Sequence, residues 1–329
     1  MSRGDADSLE AGRERRAEKP TAGTRGHEAA ARESEPGPPG PAPAALGAPP
    51  VTRRGFLAAA AAGVAAAAMP ARAESLLASA RSPQPIGLQL YTVRDLMQRD
   101  VEYTLRQVAG IGYREVEFAG LFDKKPDKVA DWLRKYGLTS PSSHIPLGQL
   151  TGSLQGVVDQ VQALGNAYVV CPSVDASRAK DPDGWRRVAA DFNRVGESLQ
   201  RVGLRLAFHN HDAEFRPLPS GELPYDILLG ECDPRLVKME MDLFWITKGG
   251  KDPLAYFAKW PGRFPLVHVK DMAGAGTMAN VGQGHIDWMR IFAKRREAGI
   301  EHFFVEHDNP TSPMADIKVS YDYMARLDL

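Results

Sequence analysis

The sequence predicts a single-domain α/β protein built as a closed (β/α)8 barrel, and three observations predict it. From Pro85 onward, short apolar segments alternate with amphipathic ones of helical period. Several of the amphipathic segments end in glycine, at Gly110, Gly137, Gly165, Gly203 and Gly299, where a left-handed cap is expected. Eight apolar segments fall within roughly 245 residues, the usual length of such a barrel. The strands are expected at Ile86–Tyr91, Tyr113–Phe118, Leu138–His144, Ala167–Cys171, Leu204–Asn210, Leu236–Asp242, Phe264–Val269 and His302–His307. Helices are expected between them at Val101–Ala109, Lys128–Tyr136, Leu154–Leu164, Trp185–Val202, Pro253–Trp260 and Trp288–Glu297. An open doubly wound sheet is the competing architecture. It calls for a glycine-rich phosphate loop after the first strand, and Gln89-Leu90-Tyr91-Thr92-Val93-Arg94 offers none.

The barrel reading covers 84–329. Residues 1–50 are rich in Ala, Gly, Pro, Glu and Arg and poor in large apolar side chains, so they are expected to be a disordered extension. Residues 51–73 read differently. Arg53-Arg54 precedes an Ala-rich apolar run, and Ala71-Arg72-Ala73 ends it with small residues on either side of an arginine. That pattern is expected of a twin-arginine signal peptide cleaved before Glu74, which implies the twin-arginine export machinery as a partner and a periplasmic or secreted address. The apolar run is too short and too alanine-rich for a stable membrane span.

Composition narrows function further. The 329 residues carry 41 Lys and Arg against 41 Asp and Glu, a formal net charge of +0 that gives no reason to expect a nucleic-acid partner. Two cysteines, Cys171 and Cys232, are too few for a disulfide scaffold and are read as free packing residues.

Strand alternation then sorts the side chains. With Leu204, Leu206 and Phe208 outward, Arg205, Ala207 and His209 point into the barrel, and His211 follows on the same side. By the same logic Glu240 and Asp242, His268 and Lys270, Phe304 and Glu306, Glu115 and Glu117, and His144 point inward, with Gln89 and Tyr91 from the first strand. Active sites of these barrels lie at the strand C-termini. There the sequence gathers Glu117, His144, His209, His211, Asp242, His268, Lys270 and Glu306. So many ionisable groups cannot be desolvated without compensation, and a divalent cation held by carboxylates and imidazoles would supply it. Arg205, Lys238, Glu240 and Glu115 sit about one layer lower and are expected to pair with one another. Phe244 and Trp245 follow Asp242 and either floor a sugar site or simply pack.

The segments Gly112–Phe118, Ala207–Phe215, Met241–Trp245, Val267–Asp271, Val281–Trp288 and Phe304–Asp308 resemble the sugar phosphate isomerase/epimerase superfamily with its xylose isomerase-like barrel. The resemblance runs from Ile86 to about Leu327. It implies one divalent metal ion, Mn2+ first with Mg2+, Co2+ or Zn2+ as alternatives, on Asp242, His268 and Glu306. Epimerases of the superfamily use a strand-five glutamate as the fourth ligand, where this chain has His209 in a His-Asn-His run; His211 shares its face. The implied chemistry is proton abstraction beside a carbonyl to give an enediolate. Glu306, His211, His144 and Lys270 are the catalytic candidates, and Gln89, Tyr91, Glu117 and Trp245 are the substrate contacts. A sugar isomerase or epimerase is the first expectation, a keto-sugar lyase or dehydratase acting by elimination on a 3-keto-glycoside the second, and a non-catalytic periplasmic sugar-binding protein the third. The partner is a small-molecule sugar or keto-sugar, and a homo-oligomer is left open.

Overall fold

The computed structural model describes residues 84–327. The extension and signal peptide read from the sequence lie outside the described residues. Eight parallel strands close into a barrel: β1 (Gly87–Gln89), β2 (Glu115–Phe118), β3 (Thr139–His144), β4 (Tyr168–Cys171), β5 (Arg205–His209), β6 (Val237–Asp242), β7 (Leu266–Val269) and β8 (His302–Val305). Closure is made by β1, whose Leu88 lies beside Val116 of β2 on one edge and Val305 of β8 on the other. The barrel therefore has no free edge, and the open-sheet alternative is excluded. All eight expected strands are present, each within the bounds the alternation gave.

Two apolar cores result from the alternation. Outward residues such as Leu206, Phe208, Met239, Met241, Val267 and Phe303 pack under the helices, with Phe208 and Phe192 at a ring separation of 5.5 Å. Inward, Tyr168, Val170, Ala207, Leu266 and Phe304 form a separate plug that fills the barrel's middle. The plug divides the interior into a lower end, away from solvent-facing chemistry, and an upper end at the strand C-termini.

The helices follow the amphipathic segments closely, at Val101–Ile111, Pro126–Tyr136, Leu154–Leu164, Pro182–Gln200 and Pro253–Lys259. Pro313–Met324 adds a last helix behind β8. The expected Trp288–Glu297 helix is two short ones, Trp288–Phe292 and Arg295–Ala298, separated by Ala293 and Lys294. Gly110 is not a cap: it lies inside the first long helix, and Gly112, at φ 131°, ends it instead. Cys171 and Cys232 are free and buried, as expected. Among the described residues no helix is long and apolar enough to cross a membrane.

Candidate active site

Register aligns the upper ends of the strands. Gln89 lies beside Glu117, His209 beside Glu240, and Asp242 beside His268. Because each of these residues is at an inward position, neighbouring strands deliver their ionisable groups to one level. Asn210 is turned sideways by the alternation; it accepts from the Asp242 amide at 3.1 Å and so fixes the end of β5 against β6.

Asp242 is the junction of the site. Its Oδ1 accepts the amides of Phe244 and Trp245, each at 2.9 Å, and caps the helix Leu243–Lys248. Its Oδ2 is left facing inward, with His209 Nε2 and His268 Nδ1 each 3.9 Å away and the Lys270 ammonium at 2.9 Å. No hydrogen bond of good geometry reaches that buried oxygen. Burial pushes the Asp242 carboxyl up to about 6 despite Lys270 and His268.

Below and around it, His268 bridges two sets of carboxylates. Nδ1 lies 2.7 Å from Glu306 Oε2, and Nε2 lies 2.7 Å from Glu117 Oε2 and 3.2 Å from Glu240 Oε2. Burial opposes charge on His268, but the carboxylates of Glu240 and Glu306 outweigh it and hold the imidazole well above its usual value. His144 stacks on His268 at 5.4 Å and places its Nε2 2.8 Å from Glu240 and 3.1 Å from Glu117. Against burial, Glu117 and Glu240 raise His144 to about 10. The same contacts, against burial, keep Glu117 well below the carboxylate range and Glu240 at about 2. His209 differs: burial and the neighbouring His268 pull it well below its usual value, while its Nδ1 sits 3.1 Å from Glu240.

Lys270 is buried at 1% exposure. Its Nζ lies within 2.9 Å of Asp242, Glu306 and Asp308, which raise it strongly against burial. Glu306 is correspondingly held far below the usual carboxylate range, by Lys270 and His268 against burial. His211 is pulled down by burial, and its ring nitrogens have no hydrogen-bond partner among the described residues. Its backbone amide donates to Glu214 Oε2 at 2.8 Å.

These groups open on a pocket of about 830 Å3 at the strand C-termini. His144, His209, His211, Lys270 and Glu306 line it, as does Tyr91, which is 42% exposed. Gln89 and Glu117 lie fully buried beneath the lining, tied together by a 2.7 Å hydrogen bond. Asp242 and His268 are also beneath it. Trp245 packs behind the lining against His211 and Lys270, at 5.5 Å and 5.6 Å from its ring.

Two residues of the site escaped the sequence reading. Glu240 does not pair within the lower layer; it contacts His144, His209 and His268. The lower residues find other partners: Arg205 meets Glu301 and Tyr168, Glu115 meets His302, and Lys238 donates to the Gly262 carbonyl. Asp308, the third partner of Lys270, lies just past β8, two residues beyond Glu306.

The donor set fits a divalent cation. Asp242, His268 and Glu306 bring ligating atoms within 4.8 Å of one another, and His209 Nε2 faces the same Asp242 oxygen. Mixed imidazole and carboxylate donors suit a first-row divalent ion. Both imidazoles turn their second nitrogen to a glutamate, Glu117 or Glu240, the arrangement that fixes a ligand's tautomer and orientation.

The xylose isomerase-like TIM barrel model matches residues 105–327. The chain belongs to that family. Among curated relatives it is similar to an inosose dehydratase of Lacticaseibacillus casei, 26% identical over 141 residues, which cover 37% of this chain and 46% of the dehydratase. The match thus spans about half the length of that relative. Among solved structures it is similar to a sugar phosphate isomerase/epimerase from Parabacteroides distasonis, with TM-score 0.66 and 25% identity over 75% of this chain and 95% of that one. The barrel also superposes on an IolI protein solved with a zinc atom, at TM-score 0.60 and 15% identity over 74% and 97% of the two chains, a likeness of fold alone.

Proposed function

We propose that the protein is a metal-dependent enzyme that removes the proton beside the carbonyl of a sugar-like ketone and then eliminates a neighbouring oxygen, as a keto-sugar dehydratase or lyase. The observation that carries this reading is a pair of unlike histidines on one pocket. His144 is pinned at Nε2 by two buried carboxylates, and His211, packed on His209 and Trp245, has no hydrogen-bond partner for its ring nitrogens among the described residues. Environments that push two titratable groups apart mark an acid and a base.

The divalent ion would sit on Asp242, His268 and Glu306 with His209 completing the set, and when bound it supplies Lewis acidity for polarising a carbonyl. His211 takes the proton from the carbon next to the carbonyl. The electron pair of that C–H bond forms the new carbon–carbon double bond as the neighbouring C–O bond breaks, and His144 gives its proton to the departing oxygen. Glu117 and Glu240 hold His144 in the protonated form and at a fixed angle. Lys270 offsets the charge of Glu306 and Asp308 at the pocket wall. The inosose dehydratase relatives support elimination; the isomerase/epimerase neighbour supports the second reading, in which the same proton is returned to carbon rather than an oxygen being lost.

The test is incubation of metal-loaded protein with a panel of keto-sugars in D2O, followed by NMR. Release of water or an aglycone with an unsaturated ketone is the expected result. Deuterium incorporation without release would replace elimination with isomerisation or epimerisation. Neither, with metal bound, would reject both and favour the sugar-binding protein.

A further inference from the structure

The seam between β1 and β8 is the shortest in the barrel, with Gly87 beside Phe304 and Leu88 beside Val305 as its paired positions. Beyond it, side chains take over from the ladder. Thr92 Oγ1 accepts the His307 amide at 3.0 Å. Arg94 Nη1 donates to the Tyr91 carbonyl at 2.9 Å and, across the seam, to the Asp308 carbonyl at 2.8 Å. Its guanidinium also lies over the Tyr91 ring, 4.2 Å from the centroid. One half-buried arginine therefore fixes a residue on each side of the seam, and both, Tyr91 and Asp308, line the pocket.

Packing does not explain why these two are held. Ordering an exposed side chain costs conformational entropy and returns little buried area. Yet the exposed Tyr91 is fixed at its amide, which donates to Gln89 Oε1 at 3.0 Å, at its carbonyl, and on one ring face. The opposite face is left for a ligand. Asp308 is fixed through its backbone, so its carboxylate is aimed from an anchored loop. Oδ1 accepts from the Lys270 ammonium at 2.8 Å; among the described residues no hydrogen bond reaches Oδ2. The metal-ligand group of Asp242, His268 and Glu306 does not include Asp308. An ionised carboxylate accepts on both oxygens, and hydrogen bonds to it are about twice as strong as neutral ones. An aromatic face beside an unfilled carboxylate oxygen suits a hydroxylated ring, whose C–H surface meets the tyrosine and whose hydroxyls donate to the carboxylate.

We propose that Asp308 is a substrate-binding residue that accepts hydroxyl hydrogens on Oδ2 beside the Tyr91 ring, and that Arg94 is the positioning residue that holds the two together across the seam. The hydroxylated ketone as ligand rests on the proposed function. The coupling of Arg94 to Asp308 rests on the seam alone.

Calorimetry on the metal-loaded protein tests it with two probes: a cyclohexanone hydroxylated at every other ring carbon, and α-hydroxycyclohexanone. Metal occupancy and melting temperature are measured on the same samples. Arg94→Met and Asp308→Asn should each weaken the polyhydroxylated probe by about tenfold or more and change the second probe by less than about twofold. The double variant should lose no more than Asp308→Asn alone, because Arg94 acts through Asp308. Arg94→Lys, which keeps a donor for the two carbonyls, should recover part of the loss. If Arg94→Met fails to fold, Thr92→Val removes the other tie across the seam and gives the same reading. A general loss of structure would instead weaken both probes alike. That outcome, additive losses in the double variant, unchanged affinity in Asp308→Asn, or no binding of the polyhydroxylated probe to the native protein would overturn the assignment. Deuterium exchange and elimination on the polyhydroxylated probe in D2O are read separately. Turnover with affinity untouched in Asp308→Asn sinks this subsite alone, whereas the expected affinity losses without exchange or elimination sink the proposed reaction alone.

Discussion

Lys270 Nζ lies 2.8 Å from Glu306 Oε2, so a carboxylate that also meets His268 is already held by a cation of the chain itself. The same ammonium stands 2.9 Å from Asp242 Oδ2. Lys270 thus touches two of the three closest metal-ligand candidates and keeps them from repelling each other in the folded chain. Replacing it by methionine removes the ammonium that Asp242, Glu306 and Asp308 share and leaves only the His268 imidazolium beside Asp242 and Glu306. Loss of one partner from a buried pair costs about 3–5 kcal/mol. Lys270→Met is therefore expected to lower the melting temperature sharply in chelator, and a saturating divalent ion should restore much of the loss by adding charge to the same carboxylates. Calorimetric melts of both proteins with and without metal check this; an equal response to metal in the two would refute the coupling.

The metal set itself predicts occupancy. Asp242→Ala and Glu306→Ala should each purify with strongly reduced metal, and His209→Ala with a smaller loss, because Asp242, His268 and Glu306 form one group of ligating atoms and His209 reaches it only through Asp242. Elemental analysis of the dialysed proteins measures it, and full metal content in both carboxylate variants would exclude the site. Ligands must be deprotonated to bind, so loading should also release protons, seen as a buffer-dependent heat.

Much of this site was legible in the sequence, because strand alternation has a period of two and a single outward Leu or Val fixes the phase of its whole strand. Phase says nothing of depth. Alternation turns Glu240 inward but leaves its depth open; only the register of β5 on β6, which sets His209 beside Glu240, shows that it belongs with the histidines. Asp308 lies past the last paired residue of β8, where alternation no longer applies. Gly112 displaced Gly110 as the helix end because two glycines two residues apart give the same local signal, and the tertiary entry into β2 decides between them.

The loop after β7 carries a third prediction. Asp271, buried at 1% exposure, accepts amides from Met272, Gly282, Gly284 and Ile286 and the indole N–H of Trp288, and so gathers the loop beside Lys270 onto one carboxylate. A Cβ at Gly284 would stand 2.1 Å from Asp271 Oδ1. Gly284→Ala must push the loop off its anchor. Clashes of this kind cost typically about 1–3 kcal/mol. The expected outcome is a moderate loss of stability with a larger loss of turnover, since Lys270 adjoins Asp271; an unchanged enzyme would show that the loop tolerates displacement.

The buried thiols give a pH prediction. Burial pushes both Cys171 and Cys232 from the usual 9.0 up to about 12. A thiol whose folded value is raised keeps its proton in the folded chain while the unfolded chain loses it. Its contribution to stability is complete below about pH 9 and is lost as pH rises towards 12, by up to about 1.4 kcal/mol per unit and per thiol. Denaturant unfolding across that window should show a steeper fall for the native sequence than for the Cys171→Ala, Cys232→Ala double variant. Parallel slopes would mean that neither thiol contributes.

Export is the remaining proposal. The Arg53-Arg54 pair, the Ala-rich run after it and the Ala71-Arg72-Ala73 ending precede a barrel that begins only at Gly87. We propose that the chain is carried folded through the twin-arginine route, which suits a barrel whose metal site joins β5, β6, β7 and β8: a metal loaded before export stays with the protein, whereas an unfolded route would deliver the ligands empty. Changing both arginines to lysine keeps the charge and removes the guanidinium pair, and the two cations are not interchangeable where a planar fork is recognised. The variant should accumulate in the cytoplasm at full length, while the native sequence appears in the exported fraction beginning near Glu74. Cell fractionation with N-terminal sequencing of each pool reads both outcomes. Export of the lysine variant at the native level would remove the twin-arginine reading, and an exported chain that still carries residues 1–73 would remove the cleavage site.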